Sequence, residues 1–219
     1  MNNLKISTRL SGAFALLVLM LVGLAVAAMT QLSAMRAATA EISDNWLPSV
    51  AAINALEATS ADLRLTILAH VLSTDDAAKA TIDKQIVDQR AKLAEMRKGY
   101  EKLISSPAEK KLYDDFATTW NNYVQVNNRA LALSRSNDSA GAAALMSKDS
   151  RPIYLVLKEQ LDTLVELNNK GATEAKKDSE STYTTARNTL LVVAALAIAL
   201  AIAAALWLIR SITAPCPAP

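Results

Sequence analysis

Two charge-free apolar runs, Leu10–Met29 and Leu190–Ile209, stand near the two ends of this 219-residue chain and limit what it can fold into. Each is about 20 residues long, and at about 1.5 Å per residue a helix of that length crosses the roughly 30 Å hydrocarbon core of a bilayer. A buried helix of a soluble protein keeps a polar stripe, and neither run has one. Both are therefore predicted to be membrane-spanning helices. Lys5 and Arg9 precede the first run, and Ala25-Val26-Ala27 within it offers the small residues of a signal-peptide cleavage site. Against cleavage, the run exceeds the roughly 7–15 apolar residues of a secretory signal, and helix-compatible sequence continues through Gln31-Leu32-Ser33-Ala34-Met35. An uncleaved anchor is expected.

Charge sets the expected topology. Lys5, Arg9 and Arg210 lie in the short flanks, and all 21 acidic residues fall between the two runs. The positive-inside rule places such flanks in the cytoplasm, which puts both termini inside and exports the stretch between the spans. The expected division is a cytoplasmic N-terminus at 1–9, spans at 10–29 and 190–209, an exported domain at 30–189, and a short cytoplasmic exit at 210–219. The single cysteine, Cys216, lies beyond the second span, so the exported part holds no internal disulfide, and a helical bundle of its size needs none. One histidine, His70, and one cysteine make no metal constellation. No Ser/His/Asp set, Gly-rich phosphate loop or basic nucleic-acid stripe stands out, so no enzyme, no cofactor and no nucleic-acid partner is expected.

The exported stretch is rich in Ala, Leu, Lys, Glu and Asp, and between residues 31 and 189 its only glycines are Gly99, Gly141 and Gly171. Such a composition favours helix nearly throughout. Three places interrupt it: Ser73-Thr74-Asp75-Asp76, Ser105-Ser106-Pro107, and Ser134 to Ala140. Each reads as a helix stop followed by a new N-cap, because Ser, Asp and Asn side chains accept bonds from the free amides of a first turn. Three breaks leave four helices, at 30–73, 76–104, 108–135 and 139–189, the first and last continuous with the spans. Leu56, Leu63, Ile67 and Val71 recur at helical spacing in the first, and Leu112, Phe116, Tyr123, Val126 and Leu133 in the third. Short connections make neighbours antiparallel, so the fold expected is all-α: a membrane-anchored, up-down-up-down four-helix bundle.

With these pieces in view, the chain resembles the bacterial methyl-accepting chemotaxis receptors that carry a four-helix-bundle ligand-binding domain. The resemblance rests on the basic start Lys5-Ile6-Ser7-Thr8-Arg9-Leu10, the segment Asn45-Trp46-Leu47-Pro48-Ser49-Val50, the turn Leu103-Ile104-Ser105-Ser106-Pro107, and the exit Arg210-Ser211-Ile212-Thr213-Ala214-Pro215. That exit is similar to the opening of a HAMP linker. After Pro215 the family would continue with a long helical module, whereas here Cys216-Pro217-Ala218-Pro219 follows, as expected of a fragment truncated at the start of HAMP. The two-span layout is shared with sensor histidine kinases and cyclases, and a membrane-anchored adaptor bundle without a small ligand is a further alternative. The resemblance implies an inner-membrane location, a periplasmic sensor, a homodimer, and a ligand held near the membrane-distal tip by basic residues, or a stimulus delivered by a periplasmic binding protein.

Arg64 and Arg151 stand at similar depth below the two distal turns, on adjacent helices. Tyr154 and Lys158 follow Arg151 at i+3 and i+7, so guanidinium, phenol and ammonium share one helix face. Such a set suits a small organic anion, first a di- or tricarboxylate and otherwise an amino acid, because guanidinium binds carboxylate bidentately. Arg129, Arg135 and Thr66 are weaker candidates. The competing reading makes these charges solvated surface or ion-pair partners, with Asp162 and Glu159 close to Lys158. Pro152 either restarts the helix at Ser150-Arg151-Pro152 or kinks a continuous one, and both leave unpaired amides beside Arg151. Trp46 and Trp120 are expected in packing, and Trp207 in the interfacial aromatic belt.

Overall fold

A computed structural model describes residues 6–213, so Lys5 and the residues after Thr213, Pro215 and Cys216 among them, lie outside the described residues. Every element described is helical: α1 (Ile6–Glu41), α2 (Leu47–Leu72), α3 (Asp76–Glu101), α4 (Pro107–Arg135), α5 (Ser139–Leu145) and α6 (Arg151–Thr213). Two five-residue π-turns join α1 to α2 (Ile42–Trp46) and α5 to α6 (Met146–Ser150). Ala40–Glu174 forms one compact unit and the flanking stretches form another.

In the flanking unit, α1 and the far part of α6 carry the two apolar runs. Their large side chains face outward; Leu19 is 69 % exposed and Leu191 is 61 % exposed. A core helix would bury such residues. These are two helices long and apolar enough to cross a membrane.

The Ala40–Glu174 unit is the four-helix bundle, with α2, α3, α4 and the α5–π-turn–α6 rod as its members. Its turns are specified locally. Asp75 accepts bonds from the amides of Ala77 and Ala78 and starts α3. Ser106 accepts from Glu109 N at 3.1 Å, with Pro107 preset for the first turn of α4. α4 ends where Asn137 takes a φ of 62°, so that Asp138 N reaches Leu133 O at 2.9 Å and Asn137 N reaches Ser134 O at 3.1 Å. These are the two bonds of a Schellman stop, with asparagine in the left-handed position usually given to glycine. Asp138 then caps α5 through Gly141 N at 2.9 Å.

Both π-turns have one cause. A proline in a helix clashes with the carbonyl four residues earlier, and for Pro48 and Pro152 those residues are Asp44 and Lys148. Each lies inside a π-turn, where the helix widens by one residue: Leu47 N–H bonds to Ile42 O, and Arg151 N–H to Met146 O. The rod from Ser139 thus does not restart after a break but continues through Pro152 by way of the π-turn. It also leaves no free amide at Arg151, contrary to the expectation from sequence.

The core is a column of apolar side chains in which Ile53, Leu56, Leu63, Ile67, Leu93, Leu131, Leu157 and Leu164 are essentially inaccessible. Through it runs a ladder of rings, Tyr100, Tyr113, Phe116, Trp120, Tyr123 and Tyr154, with successive centroids 5.4–6.4 Å apart. Four of them recur at threes and fours on α4, which gives that helix one aromatic face. Trp120 is core, as expected, while half-buried Trp46 packs its six-membered ring against Gly171 of α6, where any Cβ would overlap it. Toward the α3–α4 connection a buried Glu109 carboxylate accepts from Tyr100 Oη at 2.8 Å, Asn168 Nδ2 at 3.0 Å and Ser105 N at 3.0 Å. Three donors in place of a counter-cation satisfy it.

Candidate functional site

A cleft of about 240 Å³ opens between α2 and the α5–π-turn segment. The period of α2 presents Arg64, Leu68, Val71 and Leu72 to it, and Ala143, Met146, Ser147 and Arg151 face them from the other rod. Arg64 and Arg151, paired from sequence by depth alone, thus reach the same cleft. Its floor is apolar and its only charged lining groups are the two guanidiniums.

Arg64 is half-buried and oriented from two sides. Its guanidinium stands over the Tyr154 ring, 5.0 Å from the centroid, and its Nη1 donates to Ser150 Oγ at 3.3 Å. Ser150 Oγ in turn donates to Asn127 Oδ1 at 2.8 Å, and both residues are fully buried. Burial raises the Tyr154 phenol above its ordinary pKa. Arg151 is exposed at the first residue of α6. Among the described residues, no carboxylate lies within ion-pair distance of Arg64 or Arg151. Tyr154 therefore serves the cleft through Arg64. Lys158 does not line it: its ammonium pairs with Glu57 Oε1 at 2.6 Å and Asp162 Oδ2 at 3.6 Å, and the Glu57 bond raises its pKa. Thr66 bonds the Asp62 carbonyl of its own helix, and Arg129 is exposed.

A second charged group occupies the end of the bundle that carries the 73–75 and 136–138 connections. Arg135 holds Asp83 through two bonds, Nη2–Oδ1 at 2.6 Å and Nε–Oδ2 at 3.0 Å. His70 is wholly buried, with Nδ1 2.9 Å from Ser134 Oγ and Nε2 3.4 Å from Asp83 Oδ1. Lys79, also buried, donates to Ser134 O at 2.7 Å and Asn137 Oδ1 at 2.6 Å. Burial pushes the His70 pKa below 6.5, and Arg135 and Lys79 push the same way against Asp83. The Arg135 bonds hold the Asp83 carboxyl below its usual range. The group ties α2, α3 and α4 together; Arg135 is answered by Asp83, and Lys79 by two neutral oxygens.

Sequence reasoning missed Ser150, Asn127 and the apolar floor. The signal for Ser150 was Pro152, which produces the π-turn that faces Ser150 inward; Asn127 gave none, since a lone Asn on a helix reads as surface.

The comparisons agree with this architecture. Residues 3–183 match the family described as the four helix bundle sensory module for signal transduction. The chain belongs to that family. A Bacillus subtilis (strain 168) protein named as a sensory transducer, YvaQ, is 24 % identical over 145 residues, which are 66 % of this chain and 25 % of the relative. The chain thus spans about a quarter of that relative's length.

Proposed function

We propose that the chain is the input module of a membrane-embedded bacterial chemoreceptor, with the bundle in the periplasm and both termini in the cytoplasm, and that it reads a small organic anion in the Arg64/Arg151 cleft. The observation that carries the reading is a pair of guanidiniums without carboxylate partners around an apolar cleft. Charge left unanswered on a folded surface is available to a ligand, and guanidinium pairs with carboxylate through two parallel bonds. The orientation follows from the flanking Lys5, Arg9 and Arg210.

The second part of the reading is a homodimer through α2. Positions 47, 51, 54, 58, 61, 65, 68 and 72 alternate by fours and threes, and Leu47, Leu65 and Leu72 on that seam are exposed. A 3.5-residue period is the spacing by which one helix packs along a second copy of itself. Leu68 and Leu72 belong to both seam and cleft, so a partner copy would border the ligand and sense its presence.

The test is a thermal-shift titration of the full chain in lipid nanodiscs with organic acids, repeated on Arg64→Ala and Arg151→Ala. An acid that stabilises the wild type and neither variant supports the site. Stabilisation that survives in both variants places the site elsewhere.

A further inference from the structure

We infer that the ligand class of the cleft is a monocarboxylate with a compact apolar body and no ammonium group: a branched aliphatic acid or a single-ring aromatic acid. The inference rests on the anion-binding reading above and narrows it, departing from the di- or tricarboxylates and amino acids that the sequence suggested.

Three features of the lining carry it. First, the two cations line the same cleft, Arg64 fixed by Tyr154 and Ser150, and Arg151 at the exposed side, and on this inference they share one carboxylate. Second, the remaining lining offers no donor for another anionic group. Leu68, Val71, Leu72, Ala143 and Met146 are apolar, and the Ser147 hydroxyl already donates to Ala144 O of its own helix at 3.1 Å. A second carboxylate pushed against that floor would lose water and gain no partner, whereas an alkyl or aryl group there is favoured by the area it removes from water. Third, no acidic side chain lines the cleft, so the ammonium of an amino acid would face two guanidiniums and no counter-charge. The cleft volume of about 240 Å³ leaves room for a body of this size.

The experiment is calorimetric titration of the full chain in nanodiscs with isovalerate, benzoate, L-valine, succinate and citrate. L-Valine differs from isovalerate by its ammonium group, and succinate from a short monoacid by its second carboxylate. Isovalerate or benzoate is expected to bind at least about tenfold more tightly than L-valine, succinate and citrate, the discrimination expected when a charged group must be buried unmatched. Leu72→Asn changes a cleft residue that is 78 % exposed and that also lies on the proposed α2 seam, so the dimerisation of the variant is measured beside its binding. It should weaken the favoured acid about five- to tenfold, the scale of one lost apolar contact surface, and leave any weak succinate binding unchanged. Tighter binding of succinate, citrate or L-valine, lost in Arg151→Ala, would overturn this inference while the cleft remains an anion site. Binding of none of the five by a chain shown to be helical would overturn both.

Discussion

Arginines stand at two places on the same bundle and meet different surroundings. At the end with the 73–75 and 136–138 connections, Arg135 is locked to Asp83, His70 closes the other side of that carboxylate, and Lys79 spends its donors on Ser134 and Asn137. One helical stretch away, Arg64 leans on an aromatic ring and a hydroxyl, and Arg151 faces solvent. The first set converts charge into helix–helix attachment; the second keeps charge in reserve. The difference teaches that the two groups should separate cleanly in mutation, one moving stability and the other moving binding.

The largest expected effect is on binding. Arg64→Ala and Arg151→Ala should each weaken the favoured acid by about 30-fold, the equivalent of one charge-assisted hydrogen bond of about 2 kcal/mol, with little change in melting temperature for exposed Arg151→Ala and a loss of about 1 kcal/mol for Arg64→Ala, whose guanidinium also holds Tyr154 and Ser150. Calorimetry beside circular-dichroism melts checks both halves. Next, Asp83→Ala should destabilise the bundle by about 1–2 kcal/mol, because Arg135 and buried His70 lose their shared partner while half the pair remains in water. Ligand affinity should not move. If it does, the two regions are coupled and the comparison fails.

Acid should act on the first region alone. His70 is held below its ordinary value of 6.5, so its neutral form contributes stability that is fully present above pH 6.5 and is lost as pH falls through the lowered folded value. Asp83 is held below 3.8, so its contribution persists to lower pH and disappears as pH falls through that lowered value. Melting temperatures between pH 7.5 and 5 should therefore decline in the wild type and decline less in His70→Gln. The smallest effect is expected for the glycine substitution at Asn137. Asn137→Gly keeps the left-handed backbone and removes one Lys79 acceptor, and should shift stability by about 0.5 kcal/mol. Asn137→Val should cost about 1–2 kcal/mol through backbone strain at φ 62°.

Much of the bundle was legible from sequence because its breaks are local chemistry. Asp75, Ser106 and Asp138 each accept the bonds their side chains suggest, and the predicted ends of α3 and α4 differ from the observed ones by at most three residues. The π-turns were not legible, since one inserted residue hardly disturbs an apolar period; only Pro48 and Pro152 point to them. Within the site, Arg64 and Arg151 could be paired because depth along a helix follows from counting residues. The fate of Lys158 could not, because its stronger partner, Glu57, is on another helix 101 positions away. His70, read as isolated, is surrounded by Asp83, Arg135 and Lys79 for the same reason.

The most direct measurement of the central claim is the melting temperature of the full chain in nanodiscs, titrated with isovalerate and benzoate, for the wild type and Arg151→Ala side by side. A ligand at 100 times its wild-type dissociation constant should stabilise the wild type by about 2.7 kcal/mol and the variant, whose constant is about 30-fold weaker, by only about 0.9 kcal/mol. A wild type that no acid stabilises, or a variant stabilised as much as the wild type, would contradict the account.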